Sequence, residues 1–462
     1  MAVATSLLSL NPENPIENPI EDRELTVSPE DYSLLTDLYQ LTMATCYVGE
    51  GLEQRRASFE LFVRRLPEGF GYLVAMGLAQ VVDYLQKFHF TPSQIAALKA
   101  TGIFDRANEK FWDLLLEAKF TGDVWAVPEG TVLFAHEPFL RIEAPLWQAQ
   151  LIETYLLNTI NYQTLIATKA ARMRDVAGDN VSLMEFGTRR AFSPQASLWA
   201  ARAALAAGMD YTSNVLAALK LGRKPTGTMA HALVMALSAL EGSEALAFSA
   251  FHRYFPHSPL LIDTFDASQA ARNLAALVNV GEMELKGVRL DSGDLVKLSQ
   301  EVRSLLPDVS IFASGDIDEA EIVRLQTAGA TIDGYGIGTK LVTGEPVNGV
   351  YKLVEIDGKP VSKKSSGKQT YAGRKQVFRT YQAAQILSDR LGLADESPLA
   401  DEQPLLEQVM QEGNLLKPPE SLAAIAKRTR NSVTALPAIA RQIKQPTPIP
   451  VEISEKVIAM VS

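Results

Sequence analysis

The chain has 462 residues, of which 47% are apolar and 21% charged, as in ordinary globular proteins, so a wholly disordered or collagen-like chain is excluded. Acidic residues outnumber basic ones by 54 to 44, which argues against a broad nucleic-acid surface, and we expect no nucleic acid as a partner. The single cysteine, Cys46, excludes an internal disulfide and a cysteine-rich zinc site. Charges interrupt every apolar stretch well before the ~18 residues of a membrane span, so we expect no membrane association and a cytoplasmic protein.

The N-terminal part mixes helical and strand patterns. Residues 1–28 repeat Asn-Pro pairs and lack the apolar core of a signal peptide, so we expect a mobile tail. The patterns that follow predict, in order, a helix capped by Thr36, a strand over 57–66, helices over 72–88, 91–100 and 107–118, and a hairpin over 122–145.

After a long helical stretch over 147–176 the rhythm changes, and each short apolar strand precedes a helix. The predicted pairs are 181–186 with 193–208, 259–263 with 267–278, 287–290 with 295–306 and 309–313 with 318–328, and a further strand covers 332–336. This alternation predicts parallel strands in a barrel or a doubly wound sheet, with a spacing close to the ~30 residues per unit of a barrel.

Beyond Val350 this rhythm is lost. Residues 352–361 indicate a hairpin with Asp-Gly at its tip, and residues 363–379 are rich in Lys, Arg, Ser and Gly. We expect the following residues to be helical as far as Leu436, and a last strand around 451–453.

Polar residues and glycines cluster directly after four of the predicted central strands. The clusters are Gly187–Arg190, Arg289–Asp294, Ser314–Asp316 and Gly336–Lys340. The carboxyl ends of parallel strands meet at one edge, where α/β barrels carry their active sites. Glycines let phosphate oxygens reach backbone N–H groups, arginine binds anions with two parallel hydrogen bonds, and aspartate holds Mg²⁺ directly or through water. Together the clusters predict a site for phosphate and magnesium.

Each motif alone also has a simpler interpretation. Gly-Ile-Gly at 336–338 is usually a turn, Asp-Ser-Gly-Asp at 291–294 could cap a helix, and Arg189 with Arg190 could be a solvated pair. His231 begins an apolar helix, where the helix dipole disfavours the imidazolium form. A neutral imidazole there is either a nucleophile toward phosphorus or a capping or packed histidine.

Six segments, taken in order, resemble the nicotinate phosphoribosyltransferase family. They are Leu35–Met43, Phe186–Arg190, Gly227–His231, Val288–Asp294, Gly334–Thr339 and Gly373–Phe378. No single motif is specific, but the ordered set is, and it extends from Leu34 to Arg379. The resemblance implies transfer of the phosphoribosyl group from phosphoribosyl pyrophosphate to nicotinate in NAD salvage, giving nicotinate mononucleotide and pyrophosphate.

The resemblance also implies a fold, a coupling of the reaction to ATP hydrolysis, and an oligomeric state. The implied α/β fold is an irregular (TIM-like) barrel over residues 151–350, with a second α+β domain formed by residues 29–150 and 351–462. ATP is implied as a co-substrate whose hydrolysis is coupled through a phosphorylated histidine, which is His231 by position. Mg²⁺ is implied as the cofactor, and a homodimer with shared active sites as the assembly.

By position in the motifs, we expect His231, Arg289 and Asp291 to be catalytic, with Asp291 also holding Mg²⁺ directly or through water. Two aromatic side chains, Phe186 and Tyr39 of a partner copy, are expected to sandwich the pyridine ring. The other expected substrate contacts are Arg189, Ser213, Asn214, Thr228 and Ser292, with a 5-phosphate cradle of Gly315, Asp316, Gly338 and Thr339. Lys340, Lys364, Lys368 and Arg374 are candidates for ATP or pyrophosphate oxygens, with a solvated loop as the alternative for the basic run.

Three alternatives remain open. Nicotinamide-using relatives carry an Asp near the amide of the base, whereas Tyr211–Asn214 offers neutral groups, which favours nicotinate. A phosphosugar aldolase or isomerase on a barrel would explain the phosphate residues, but it would need a Schiff-base lysine, for which Lys340 is the candidate, or an acid–base pair. A binding protein without activity is disfavoured by the presence of His231, Arg289 and Asp291.

Overall fold

The computed structural model describes residues 25–363 and 370–460. Its helices are α1 Leu38–Gly49, α2 Leu78–Gln86, α3 Pro92–Ala100, α4 Glu109–Leu116, α5 Leu146–Leu151, α6 Glu153–Ala177, α7 Pro194–Ala206, α8 Val215–Lys220, α9 His231–Glu241, α10 Glu244–Tyr254, α11 Ala267–Asn279, α12 Leu295–Leu305, α13 Glu319–Thr327, α14 Thr339–Val342, α15 Leu422–Thr434, α16 Ala438–Arg441 and α17 Glu455–Ala459. Within these ranges no helix has the length and apolar character needed to cross a membrane.

The strands form four sheets. They are β1 Arg56–Phe62, β2 Leu73–Val74, β3 Asp123–Ala126, β4 Val132–Leu133, β5 Pro138–Pro145, β6 Ser182–Glu185, β7 Tyr211–Thr212, β8 Leu260–Leu261, β9 Gly287–Leu290, β10 Ser310–Gly315, β11 Gly334–Ile337, β12 Val350–Ile356, β13 Lys359–Pro360, β14 Lys375–Gln382, β15 Gln385–Leu393, β16 Glu402–Pro404, β17 Glu407–Gln411, β18 Asn414–Leu415 and β19 Val451–Ile453. The prediction for the tail falls almost entirely outside the described residues.

Six parallel strands form the sheet that carries the polar clusters, in the order β7-β6-β11-β10-β9-β8. Side chains at its centre, such as Leu183, Val288 and Ile311, are fully buried, as expected of a parallel sheet whose strands are connected by helices. The pairing of Gly315 with Ile337 and of Ile337 with Glu185 aligns the carboxyl ends of three neighbouring strands. The predicted alternation of parallel strand and helix is therefore confirmed.

A short segment, residues 226–228, connects the two edges of this sheet. The Thr226 N–H donates to the Thr212 carbonyl of β7 at 2.9 Å. The Thr228 hydroxyl donates to the carbonyl of Pro259, the residue before β8. The segment thus joins the carboxyl end of β7 to the residue at the amino end of β8.

The seven-stranded sheet combines distant parts of the chain, in the order β13-β12-β1-β5-β3-β17-β18. Strand β1 pairs antiparallel with β5 on one side and with β12 on the other. A buried ion pair of 2.8 Å between Lys375 and Glu60 ties the start of β14 to β1. Strands from residues 56–145 and 350–415 therefore share one sheet, and the predicted hairpin at 352–361 is present as β12 and β13.

The prediction of helix up to Leu436 is wrong. Residues 375–415 form strands β14 to β18. Between these strands and Leu436, α15 is helical. The hairpin of β14 and β15 turns at Ala383 and Ala384, which have positive φ angles of 48° and 65°. Such turns normally carry Asn or Gly, so two alanines gave no turn signal in the sequence.

Two N-terminal predictions also need correction. The helix predicted over 72–88 begins only at Leu78, because Leu73 and Val74 pair with β4 instead. Thr36 does not cap α1, which begins after Asp37. The Thr36 hydroxyl instead lies 3.4 Å from the hydroxyl of Thr154.

Candidate active site

The carboxyl ends of the parallel strands surround a cavity of about 500 Å³, here named the front cavity. Its walls come from the segments that follow β6, β7, β9, β10 and β11 and from residues 227–230. Most of the site residues predicted from the sequence lie together in this lining. They are Phe186, Arg189, Ser213, Thr228, Arg289, Asp291, Gly315, Asp316, Gly338 and Thr339.

His231 lies at the rim of the front cavity, at the first position of α9. Its Nδ1 lies 3.1 Å from the Thr264 hydroxyl, and its Nε2 lies 3.9 Å from Oδ2 of Asp291. Thr264 follows β8 and Asp291 follows β9, so the ends of two neighbouring strands hold the ring from two sides. With Nδ1 bound to Thr264, Nε2 is the nitrogen that remains available for chemistry.

Asp263 is a site residue that the sequence analysis missed. Its Oδ2 accepts hydrogen bonds of 2.7 Å from the Asp291 N–H and from the Ser292 hydroxyl. Its Oδ1 is buried without a hydrogen-bond partner in the described part of the chain. Ser292, predicted to contact substrate, is therefore directed to Asp263. The available signal was its position, since Asp263 is the last residue of the predicted strand over 259–263, at the same end of the sheet as the four clusters.

Arg289 is half-buried and lines the front cavity. Burial lowers its pKa, as does nearby Arg189, while the carboxylates of Asp291 and Asp263 act in the opposite direction. Its Nε is buried and has no hydrogen-bond partner among residues 25–363 and 370–460. A guanidinium in the wall of a cavity is suited to an anionic ligand.

Glu185, the last residue of β6, fixes two walls of the front cavity and was also missed by the sequence analysis. It is 1% exposed, and burial raises its pKa. One carboxylate oxygen accepts from the Gly187 N–H and the other from the Thr212 hydroxyl. Glu185 thus links the turn after β6 to the end of β7. In the sequence it belongs to an apolar strand and to no recognised motif, so nothing there indicated a site residue.

Several predicted residues lie elsewhere. Asn214 is 4% exposed and caps α8, where its Oδ1 accepts from the Ala217 N–H at 3.0 Å. Lys340 lies 3.8 Å from Asp318 and borders a separate cavity. Arg374 pairs with two carboxylates, those of Glu143 at 3.3 Å and Glu355 at 3.1 Å. Lys364 and Lys368 lie outside the described residues.

Tyr39 does not reach the front cavity of its own chain. It lies on α1, and 47% of its surface is exposed. Burial of part of the side chain, followed by the charges of Glu153 and Asp37, raises the pKa of its hydroxyl to about 12. Leu35 and Leu38 beside it are exposed as well, so Tyr39 belongs to an apolar surface.

A second cavity of about 310 Å³ adjoins the first, and we name it the rear cavity. Phe186, Gly227, Thr228 and Arg289 line both cavities. The rear cavity extends to the amino ends of the strands, where Lys286 is exposed. Phe186 and Arg289 therefore stand where the two spaces meet.

The carboxylates at the front cavity suit a magnesium ion that is bound mainly by substrate. Asp291 and Asp316 both line the cavity. In the described part of the chain no three His, Cys, Asp or Glu side chains are placed to hold a metal by themselves. Mg²⁺ typically takes one or two carboxylates together with substrate phosphates and water, and these residues fit that pattern.

Glycine turns, two aspartates and a free guanidinium at the ends of parallel strands define an α/β enzyme that handles phosphorylated substrates. Family models match three parts of the chain: the nicotinate phosphoribosyltransferase N-terminal domain at 34–161, the nicotinate phosphoribosyltransferase family at 181–391 and its C-terminal domain at 400–461. The chain belongs to the nicotinate phosphoribosyltransferase family, which confirms the resemblance.

Individual relatives agree with this assignment. The nicotinate phosphoribosyltransferase pncB2 of Mycobacterium tuberculosis is 39% identical, with 92% of each chain covered. The nicotinate phosphoribosyltransferase of Bacillus subtilis is 43% identical over 79% of this chain and 77% of its own. The crystal structure of human nicotinic acid phosphoribosyltransferase matches with a TM-score of 0.80 and 30% identity, covering 92% of this chain and 99% of that one. The expectation of an enzyme of this family is confirmed.

Proposed function

We propose that this chain transfers the phosphoribosyl group from phosphoribosyl pyrophosphate to nicotinate in cytoplasmic NAD salvage. The pyridine nitrogen forms a bond to the anomeric carbon, and the bond from that carbon to the pyrophosphate oxygen breaks, its electron pair leaving with pyrophosphate. The observation that carries the proposal is the place of the half-buried Arg289 side chain in the wall of the front cavity, where Phe186 offers an aromatic surface. A carboxylate on a planar ring is the ligand that this pair fits best.

The other cavity residues divide between ribose and phosphates. Gly315, Asp316, Gly338 and Thr339 lie on adjacent turns after β10 and β11 and are proposed to hold the 5-phosphate. Asp291 would bind the ribose hydroxyls and, directly or through water, Mg²⁺. The ion would supply positive charge against the departing pyrophosphate.

We infer that ATP is a co-substrate and that His231 carries its phosphoryl group. The γ-phosphorus would form a bond to Nε2 as its bond to the ADP oxygen breaks, and water would later hydrolyse the phosphohistidine. Support comes from the ring orientation, since Thr264 occupies Nδ1 and leaves Nε2 directed toward Asp291. Negative charge placed there would adjoin the proposed magnesium and pyrophosphate positions.

We further infer a homodimer in which a second copy brings its Tyr39 to the front cavity. Its support is the exposed apolar surface of Leu35, Leu38 and Tyr39 on α1. We also infer that residues 226–228 close the six strands into an irregular barrel, and that residues 29–150 and 351–462 form one α+β domain. Mixing two inactive variants, Tyr39→Ala and Arg289→Ala, tests the shared site, because mixed dimers would regain one complete cavity.

The test of the reaction is a turnover assay with phosphoribosyl pyrophosphate, Mg²⁺ and either nicotinate or nicotinamide, with and without ATP. Mononucleotide from nicotinate, with ADP formed alongside, is the expected result. Product from nicotinamide alone would overturn the choice of base. No product from either base would favour other phosphosugar chemistry, although a Schiff-base aldolase is disfavoured because Lys340 pairs with Asp318 and lines a separate cavity.

A further inference from the structure

Strand β11 carries two glycines on one face, and an aromatic ring lies against each. Gly334 and Gly336 are two residues apart, so they point to the same side of the sheet. A Cβ atom on Gly336 would come within 2.5 Å of Cε2 and 2.6 Å of Cδ2 of Phe186. A Cβ atom on Gly334 would come within 2.7 Å of Cδ1 and Cε1 of Phe312. The two rings fill the space that side chains of β11 would otherwise occupy.

The backbone conformation does not explain the glycine at position 336. Gly336 is not among the described glycines with positive φ. It lies inside a strand that pairs regularly on both sides, with Ser314 of β10 and Met184 of β6. Alanine would therefore fit the backbone, and the contact that excludes it is the ring of Phe186.

The backbone of Phe186 is anchored independently of its ring. Its N–H donates to the Ile337 carbonyl at 2.7 Å, and the next residue, Gly187, donates to the buried Glu185 carboxylate. The ring itself lines both the front and the rear cavity. With one face against Gly336, the ring has a fixed position from which its remaining surface meets a ligand.

We propose that Gly336 is a positioning residue that sets the place of the Phe186 ring and so the width of the slot for the aromatic base. This rests on the proposed function, in which Phe186 stacks on nicotinate. Ordinary carbon contacts are ~3.5–4.0 Å, so an alanine at 336 would push the ring by about 1 Å. A misplacement of ~1 Å is enough to cost about 100-fold in a well-oriented site. The glycine predicted as part of a phosphate turn thus serves the base.

The experiment compares Gly336→Ala with Gly334→Ala, which makes the same change on the same strand but meets Phe312, a residue of the rear cavity, and at 2.9 Å the Ser182 carbonyl oxygen. Gly336→Ala should raise the KM for nicotinate by roughly tenfold or more and leave the KM for phosphoribosyl pyrophosphate within about twofold. Gly334→Ala should leave both constants close to wild type. Equal effects of the two variants on nicotinate would overturn the proposal.

A double-substitution cycle with Phe186→Ala shows whether Gly336 acts through the ring. Without the ring, Gly336→Ala should change neither the KM for nicotinate nor the melting temperature, whereas it lowers the melting temperature of the wild-type background. The same effects in both backgrounds would contradict the proposal. If Gly336→Ala does not fold, folding of the double variant supports the contact and its failure to fold overturns it.

The melting temperatures separate this inference from the proposed function. Wild-type protein that does not turn over nicotinate would defeat the proposed function, while the stability cycle would still test the contact of Gly336 with Phe186. Turnover of nicotinate together with an additive cycle would defeat only the role of Gly336.

Discussion

The Nε2 atom of His231 lies 3.9 Å from Oδ2 of Asp291. This distance is too long for a hydrogen bond, so the carboxylate orders the rim of the cavity without occupying the nitrogen. The other ring nitrogen is held by Thr264 at 3.1 Å. The pair therefore leaves one imidazole nitrogen free beside an acidic group, as the proposed role of His231 as phosphoryl acceptor requires.

Replacing His231 by Ala should separate transfer from ATP coupling. The cavity residues that hold the base and the sugar remain, so slow formation of nicotinate mononucleotide should persist, while ADP formation and the stimulation by ATP are lost. Both products are followed by chromatography with and without ATP. His89→Ala is the control, since His89 bonds to the Lys87 carbonyl on another part of the protein. ATP stimulation that survives in His231→Ala would remove His231 from this role.

Replacing Asp263 by Ala should impair the ribose side of the site. Two donors, the Asp291 N–H and the Ser292 hydroxyl, lose their acceptor. The Ser292 hydroxyl is exposed and can turn to water, whereas the Asp291 N–H is part-buried and its loss of a partner costs about 1–3 kcal/mol, so kcat/KM for phosphoribosyl pyrophosphate should fall by roughly ten- to a hundredfold. Asp266→Ala, which removes the cap of α11, should cost about 1 kcal/mol of stability and leave kcat/KM unchanged. A similar kinetic loss in both variants would contradict a local role for Asp263.

A carboxylate at position 213 should weaken nicotinate selectively. Ser213 lines the front cavity. Like charges ~6 Å apart at an effective dielectric constant of ~20 repel by roughly 3 kcal/mol before screening, so Ser213→Asp should raise the KM for nicotinate at least tenfold. Ser213→Asn has the same shape without the charge and should have a much smaller effect. Equal KM values for the two variants would place Ser213 away from the carboxylate of the base.

The buried Glu185 predicts a pH dependence of stability. Burial raises its pKa above the ordinary 4.5, so the folded state binds the proton more tightly than the unfolded chain. The stability from this proton is fully present below the unfolded pKa and is lost as the pH rises through the folded pKa. Glu185→Gln does not titrate, so its melting temperature relative to wild type should rise as the pH increases from the ordinary glutamate pKa of 4.5 toward neutral. A constant difference across this range would contradict the raised pKa.

Much of the central sheet and its site was predictable because strand, turn and helix follow one another locally. The clusters after β6, β9, β10 and β11 were identified from sequence and line one cavity. Asp263 and Glu185 were not, because each acts through contacts with segments distant in sequence, such as Asp291 and Thr212. Such pairings follow from the sheet order, which no local pattern contains.

The C-terminal strands are a second example of structure that local sequence patterns do not predict. Their turn uses Ala383 and Ala384 at positive φ, which the surrounding sheet enforces against the preference of alanine. Asn214 shows the converse, since the family resemblance suggested a substrate contact while its side chain caps α8. The sequence indicated the region in which Asn214 lies, but the contacts of its side chain follow from the packing of α8 against the sheet.

The pairing of β1 with both β5 and β12 has a consequence for synthesis of the chain. When residues 56–145 have left the ribosome, β1 has one neighbour and one bare edge, and its second neighbour begins at residue 350. At ~5–20 residues per second, the nascent chain carries that open edge for roughly ten to forty seconds. Open edges invite pairing with other chains, so premature termination before residue 350 should yield fragments that aggregate.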